Sequence, residues 1–573
     1  MRAYEQFARL IADEGVRSVF GVLGDGNMHW VAAYRTLPAC EWRAAWHESG
    51  AVWMADGYAM RIGDVGVATV TMGPGLAQAL PALMTATRAR RPIVIVTAAV
   101  PDTQPPHAQF ANQADLVAAA GARYVPVAAA SGLAAGLAQA MRSAREGVPA
   151  VLAVDLGVFE HAEAAEQLPA RAEAAAPALD DDQLIAAVQA LTAAARPLFL
   201  LGGGVRDSGC VEATLVLGRR VGAAFATTIG GRTALGDEPW DLGVVGMMAN
   251  PLARELAAQA DVVVVLGSSL DRYNTDGGRL ADGALLVRVD RRPPDQLWSP
   301  GTRDVHVTGE LPAVIAALSA RVAASASSGF RTDETRAALE REAARQSSLA
   351  QLPTRDGINP WAVVAELDRQ LPGDAHVVVG IGHFWYFVAP YLSARPQRTL
   401  HFTHGFASIG QAIPVGVGAA LAPGTGRVVV VEGDGSAVMN IQELQAAVGH
   451  GADLLVIVLD NEAYASEYHK LAIAGLDPSS STFADAPFDL VAVATAMGAL
   501  ATRTDDLDSF AAALRELLPE RGVRLIDVRI SVETMSETYV RQHLTRSDTS
   551  DAATTPSHSA AWTHDAPSGE RSR

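Results

Sequence analysis

Six short apolar runs dominated by valine, isoleucine and leucine constrain this chain most: VGVATVTM (65 to 72), RPIVIVTAAV (91 to 100), RPLFLLGG (196 to 203), DVVVVLGSSL (261 to 270), RVVVVEGDG (427 to 435) and DLLVIVLDN (453 to 461). A short β-branched run closed by glycine or a polar pair is the pattern of a strand buried on both faces. The Ala/Leu-rich stretches between the runs have the composition of helices. Their alternation predicts an α/β fold built on parallel sheets. Polar, breaker-rich stretches at 162 to 183 and 320 to 357 divide the chain into blocks at 1 to 165, 180 to 320 and 355 to 545. Each block is the size of one doubly wound unit. Residues 546 to 573 are rich in Ser, Thr, Asp and Pro with almost nothing to bury, the composition of a disordered tail.

Composition excludes several function classes. Lys plus Arg number 45 against 63 Asp plus Glu, a net charge of −18. Most of the surface then repels a phosphate backbone, and nucleic acid is not an expected partner. No apolar run reaches about 18 residues, so no membrane span is expected. Cys40 and Cys210 are the only cysteines, too few for a disulfide scaffold or a thiolate metal site. The N-terminal stretch carries Glu5, Asp13 and Glu14 in place of an apolar secretory core, and with the cysteine usage this places the protein in the cytoplasm.

In the third block the run RVVVVE leads into Gly433-Asp434-Gly435-Ser436, then the helical stretch AVMNIQELQAAVGHG, then DLLVIVLD ending at Asp460-Asn461; residues 436 to 459, 24 in all, separate the GDG from the Asp-Asn pair. A strand–helix–strand unit of this size sets its two strand ends side by side, so Asp434 and Asn461 converge at the carboxyl edge of a parallel sheet. One carboxylate, one amide oxygen and a carbonyl from the following loop suit Mg²⁺ with phosphate oxygens completing its octahedron. The glycines let backbone N–H groups approach a diphosphate, and the helix start after Ser436 adds a favourable dipole.

GDGS, 24 residues, then DN resembles the thiamine-diphosphate binding motif, and the resemblance runs through the chain up to the tail. It implies three α/β doubly wound domains in the order pyrimidine-binding (1 to 165), central Rossmann-like (180 to 320) and diphosphate- and Mg-binding (355 to 545). It also implies that Mg²⁺ is held by Asp434, Asn461 and the carbonyl of Ala463, and the diphosphate by Gly433, Gly435 and Ser436. The usual pair is Asn-Asn; Asp460-Asn461 keeps the coordinating residue.

The first block contains WHESGAVWMADGYAMRIG (46 to 63), in which Glu48 closes an apolar strand and opens a helix, and then TMGPG (71 to 75). Together they resemble the pyrimidine-binding domain of the acetohydroxyacid synthase and pyruvate decarboxylase superfamily, with Gly73 at the cofactor. In that superfamily this Glu touches N1′ of the aminopyrimidine and favours the imino tautomer that takes the proton from thiazolium C2. The superfamily's Asn after the GPG is Gln78 here. HGFASIGQAIPVGVGAALAP (404 to 423) resembles the segment that bends the cofactor, which puts Ile409 beneath it and offers the Ala407 carbonyl to the pyrimidine amino group. VVVGIGHFWYF (377 to 387) resembles a loop that reaches the diphosphate, matching at Gly380 and Trp385 and placing His383 there.

Two positions bear on the reaction. VFGVLGDGNM (19 to 28) resembles a pyruvate decarboxylase pattern with a catalytic Asp at Asp25, and DNEAYASEYHKL (460 to 471) places Glu467 where the same enzymes carry a catalytic Glu. Two carboxyl groups from different domains facing one carbanion would form a proton relay, with one raised pKa. The decarboxylase His-His pair is replaced in PPHAQFANQAD (105 to 115) by His107 followed by Gln109, which admits a ligase in which either residue orients an acceptor carbonyl. The expected activity is therefore decarboxylation of a 2-oxo acid with aldehyde release or carboligation, as in acetolactate synthase. The alternatives are a 2-hydroxyacyl-CoA lyase acting on a CoA thioester and a catalytically silent regulatory homologue. In the central block LFLLGGGVRDSG (198 to 209) and VVVVLGSSLDRY (262 to 273) give only a weak nucleotide signal, so FAD or ADP is not expected there. The resemblance finally implies a homodimer or homotetramer with active sites between subunits.

Overall fold

The computed structural model describes residues 1–100, 107–163, 179–232, 234–291, 303–324, 328–392, 395, 397–403, 405–424, 426–483 and 487–544. The tail expected at 546 to 573, His404 of the 404 to 423 motif and part of the 162 to 183 stretch lie outside them. All six apolar runs form strands, at Gly66–Thr69, Ile93–Ala99, Pro197–Leu201, Val262–Leu266, Val428–Gly433 and Leu454–Asp460. They belong to three parallel sheets of six strands each, as expected for an α/β chain whose strands are covered by helices on both faces.

The first and third sheets share one topology. Numbered within each sheet in chain order, their strands lie in the spatial order second, first, third, fourth, sixth, fifth. The middle sheet runs sixth, fifth, fourth, first, second, third, the order of a dinucleotide-binding fold. In the first and third units the connection from second to third strand carries a helix, Glu48–Ile62 in one and Ala412–Leu421 in the other. These topologically equivalent helices pack directly on each other. A Cβ at Gly57 would lie 1.8 Å from the Val415 carbonyl oxygen, and one at Gly418 would lie 1.8 Å from that of Met54. Glycine at both positions lets the backbones touch, and one apolar cluster runs through the contact from Met54 and Ala55 to Val415 and Ala419.

The polar stretch at 320 to 357 contains a helix, Asp333–Leu349, with no buried residue. Thr332 caps it by accepting the Thr335 N–H, and Arg345 ties it to Glu537 at 2.6 Å. In the central unit the glycine-rich strand ends meet one another: a Cβ at Gly202 would lie 2.2 Å from the Gly267 carbonyl oxygen, and one at Gly267 would lie 2.8 Å from Gly204 Cα. These glycines serve backbone-to-backbone packing. Among the described residues no helix is long and apolar enough to cross a membrane.

Candidate active site

Strand register brings the GDG and Asp-Asn segments together. Val428–Gly433 pairs in parallel with Leu454–Asp460, with Gly433 level with Leu459. Asp434 therefore leaves the sheet beside Asp460, and Asn461 follows one residue on. Asp434 opens a helix, Asp434–Met439, and is buried. Its Oδ1 accepts the Gly435 N–H at 2.9 Å and its Oδ2 accepts the Ala463 N–H at 3.2 Å. The stretch expected as one helix is two, because the backbone breaks at 440–442 before Glu443–Gly449. At the break the Asn440 side chain donates to the Gly410 carbonyl at 2.7 Å, tying this unit to the loop that carries Ile409.

The Asp434 carboxyl is pushed well above the usual carboxylate range by burial and by Asp460 beside it. Asp460, although also buried, is held below that range by a hydrogen bond with Asp434 and by Arg529. It pairs with Arg529 at 3.0 Å and Arg503 at 3.1 Å. The departure from Asn-Asn thus places a second acid whose charge two arginines answer. Asp434 itself makes no ion pair among the described residues. A buried carboxylate facing only N–H groups and another acid, next to a half-buried Asn461, is a hard-oxygen donor set that fits Mg²⁺. No group of three His, Cys, Asp or Glu side chains able to hold a metal occurs among the described residues. Any metal here draws on amide, carbonyl and phosphate oxygens as well.

Two non-glycine residues with left-handed backbone sit at this site. Glu462, between Asn461 and Ala463, has φ 54°, and Ala407 has φ 58°. Such a conformation costs about 1–2 kcal/mol per residue and is held only where surrounding contacts impose it. Ala407 is exposed and Ile409 half-buried, so the loop faces outward. Glycines 433 and 435 make room for rings: a Cβ would come within 2.9 Å of Phe384 at the first and 2.6 Å of Tyr464 at the second. Ser436 Oγ donates to the Ile381 carbonyl at 3.5 Å.

His383 is enclosed. Its ring stands 4.8 Å from His469 and 4.5 Å from Tyr539, and burial with His469 and His543 nearby drives its pKa well below the ordinary value, so it is neutral. Glu467 is exposed and pairs with Lys470 at 3.4 Å.

The first-unit candidates gather at the carboxyl edge of their own sheet. Glu48 is the first residue of its helix; the strand before it is Glu41–Ala44, a largely uncovered edge strand that ends four residues short of Glu48, and not an apolar strand. A Cβ at Gly75 would lie 3.7 Å from Glu48 Oε1. Gly73, at φ 63°, would drive a Cβ to 2.0 Å from the Gln109 carbonyl oxygen, so Gln109 is packed on the GPG turn. Gln109 donates its N–H to His107 Nδ1 at 3.1 Å. Exposed Asp25 lies between Gly24 and Gly26, and both glycines abut Thr71 at the start of the same turn. Gln78 offers its carbonyl to Ser49 Oγ at 2.5 Å. Among the described residues, no hydrogen bond or ion pair joins these first-unit candidates to those of the third unit.

Among the buried acids that were not singled out by sequence, two adjoin these segments. Glu432, just before the GDG, accepts the Ala412 N–H at 3.0 Å, and Gly380 leaves the space its carboxyl fills. Glu443 accepts N–H groups from Trp46 and His47. Their only signal was a charged residue inside an apolar strand and an apolar helix.

Three family models match the chain: the N-terminal TPP binding domain of thiamine pyrophosphate enzymes over residues 1–119, the central domain over 184–318 and the C-terminal TPP binding domain over 380–528. Among curated proteins, the acetolactate synthase isozyme 3 large subunit of Escherichia coli is 27% identical, covering 94% of this chain and 96% of the relative. A probable 2-ketoarginine decarboxylase of Pseudomonas aeruginosa is 27% identical, over 92% and 94%. A sulfoacetaldehyde acetyltransferase of Alcaligenes xylosoxydans is 27% identical, over 90% of each.

Proposed function

Because the chain belongs to the thiamine pyrophosphate enzyme family, we propose that it binds thiamine diphosphate with Mg²⁺ and decarboxylates a 2-oxo acid, releasing an aldehyde or ligating the acyl unit to an acceptor carbonyl. The observation that carries this reading is the convergence of Asp434, Asn461 and Ala463 at one strand edge, secured by the Asp434–Ala463 hydrogen bond. When bound, the cofactor supplies an electron sink for the bond beside a carbonyl. The protein's own residues do the rest.

Asp434, the Asn461 amide and the Ala463 carbonyl hold the metal, and Gly433, Gly435 and Ser436 line the diphosphate. Ile409 would support the cofactor from below and the Ala407 carbonyl would accept from its amino group, both presented by the left-handed turn at Ala407. Glu48 shares a proton with the pyrimidine ring. Asp25 and Glu467, both exposed on the single chain, move protons to and from the reacting carbon once two units face each other. His107 and Gln109 orient the acceptor or the carboxylate. His383 acts through packing behind the diphosphate. Membership of this family supports active sites assembled between two copies, in a homodimer or a tetramer of two such dimers. Soluble, cytoplasmic operation on a small 2-oxo acid fits this reading.

The test is CO₂ release with product identification from a panel of aliphatic and aromatic 2-oxo acids. Aldehyde with CO₂ assigns a decarboxylase and acyloin with CO₂ a ligase. Cleavage of a 2-hydroxyacyl-CoA without CO₂ would replace the reading with a lyase.

A further inference from the structure

The segment leading to Glu48 is gripped by the third unit of the same chain. Glu443, fully buried, accepts the Trp46 N–H at 3.2 Å with each carboxyl oxygen and the His47 N–H at 3.0 Å with Oε1. Gly50, two residues into the helix that Glu48 opens, leaves the room: a Cβ there would lie 2.3 Å from Glu443 Oε1. Two further contacts brace the segment on the same helix, Trp46 Nε1 donating to Gln445 at 2.6 Å and His450 Nε2 meeting the Ala44 carbonyl at 2.8 Å.

We propose that Glu443 is a positioning residue for Glu48, its carboxylate fixing the two peptide groups that precede Glu48 and thereby the direction in which the Glu48 side chain leaves its helix. The inference rests on the reading of Glu48 given above. A carboxylate buried against two N–H donors is held in one place, and a small displacement of an acid–base group is enough to slow its proton transfer.

The same contact is pH-sensitive. Burial pushes the Glu443 carboxyl up to about 7, against the opposing effect of the Trp46 and His47 N–H groups. The other titratable groups at the contact are His47 and Glu48 on the gripped segment and His450 on Glu443's own helix. Arg43 and Glu41 lie beyond, beside His450. Protonation of Glu443 as pH falls through about 7 removes an acceptor and loosens the segment.

The test uses the full chain with thiamine diphosphate and Mg²⁺, reading the rate of C2 proton–deuterium exchange in the bound cofactor. Amide exchange of the peptide containing Trp46 and His47 is read in the protein without cofactor. Glu443→Ala should speed that amide exchange and slow C2 exchange by roughly 10- to 100-fold, while cofactor affinity changes by less than about threefold. Glu443→Gln, the neutral counterpart of the protonated acid, should show already at pH 8 the slowed C2 rate that the wild-type protein reaches below pH 7, and should lose the fall in rate near pH 7. Wild-type C2 exchange in Glu443→Ala, beside a Glu48→Gln protein that has lost it, would overturn the positioning role alone. Normal exchange in Glu48→Gln would overturn the reading of Glu48 beneath it. If the alanine variant does not fold, survival of the inflection near pH 7 in Glu443→Gln overturns the proposal.

Discussion

Asp434 Oδ2 accepts the backbone N–H of Ala463 at 3.2 Å, although 29 positions separate them. That bond closes the loop after one strand onto the end of its neighbour, and it exists because parallel pairing sets Gly433 level with Leu459. Everything attributed to the metal and diphosphate depends on this closure.

Asp434→Asn keeps an oxygen acceptor but removes the charge. Because burial and Asp460 already disfavour that charge, the protein without cofactor should unfold at the same or a higher temperature. Wild-type protein should gain about 2.7 kcal/mol of stability from thiamine diphosphate and Mg²⁺ at one hundred times the dissociation constant. The variant should lose most of that gain, as followed by thermal melts with and without ligands.

Glu48→Gln should leave the fold intact and lower kcat by roughly 100- to 10,000-fold, the range of a lost acid–base group. Circular dichroism and steady-state turnover check it together. Near-normal turnover would remove Glu48 from the proton-transfer role.

Much of this was legible in the sequence, and the reasons differ by element. All six apolar runs became strands because a strand buried on both faces needs an unbroken stretch of apolar residues. Edge strands such as Glu41–Ala44, none of whose residues is buried, carry no such run. The GDG and Asp-Asn pairing was readable because spacing and strand context fix register. The grip of Glu443 on Trp46 was not, since nothing local to EWRAAWHES encodes a partner roughly 400 residues away. The glycines at 202, 204 and 267, only a weak nucleotide signal in the sequence, bring two strand ends into contact, a packing role that no local pattern encodes.

Gly418→Ala should destabilise the protein by about 1–3 kcal/mol, because the new methyl group must displace the Met54 carbonyl in a packed helix pair. Gly373→Ala, where a Cβ meets nothing within 4 Å, is the control. Denaturant midpoints of the two variants separate packing from a general glycine effect.

Acid should unfold the protein through its buried histidines. Burial lowers the His469 pKa to about 4 and that of His383 well below the ordinary value. Both are neutral in the fold, so their stabilising contribution is complete above about pH 6.5 and is lost as pH falls through the folded-state values. Urea midpoints should fall between pH 6.5 and 4. In His469→Phe the accompanying loss of unfolding free energy should be smaller by roughly 1–3 kcal/mol.

The central claim is thiamine-diphosphate-dependent cleavage of a 2-oxo acid at the Asp434 site. Purified protein loaded with thiamine diphosphate and Mg²⁺ should release CO₂ from at least one member of a 2-oxo acid panel, with one aldehyde or one transferred acyl unit accounted for per CO₂, and Asp434→Ala should release none. Absence of CO₂ from every acid, in a preparation shown to hold its cofactor, would contradict it.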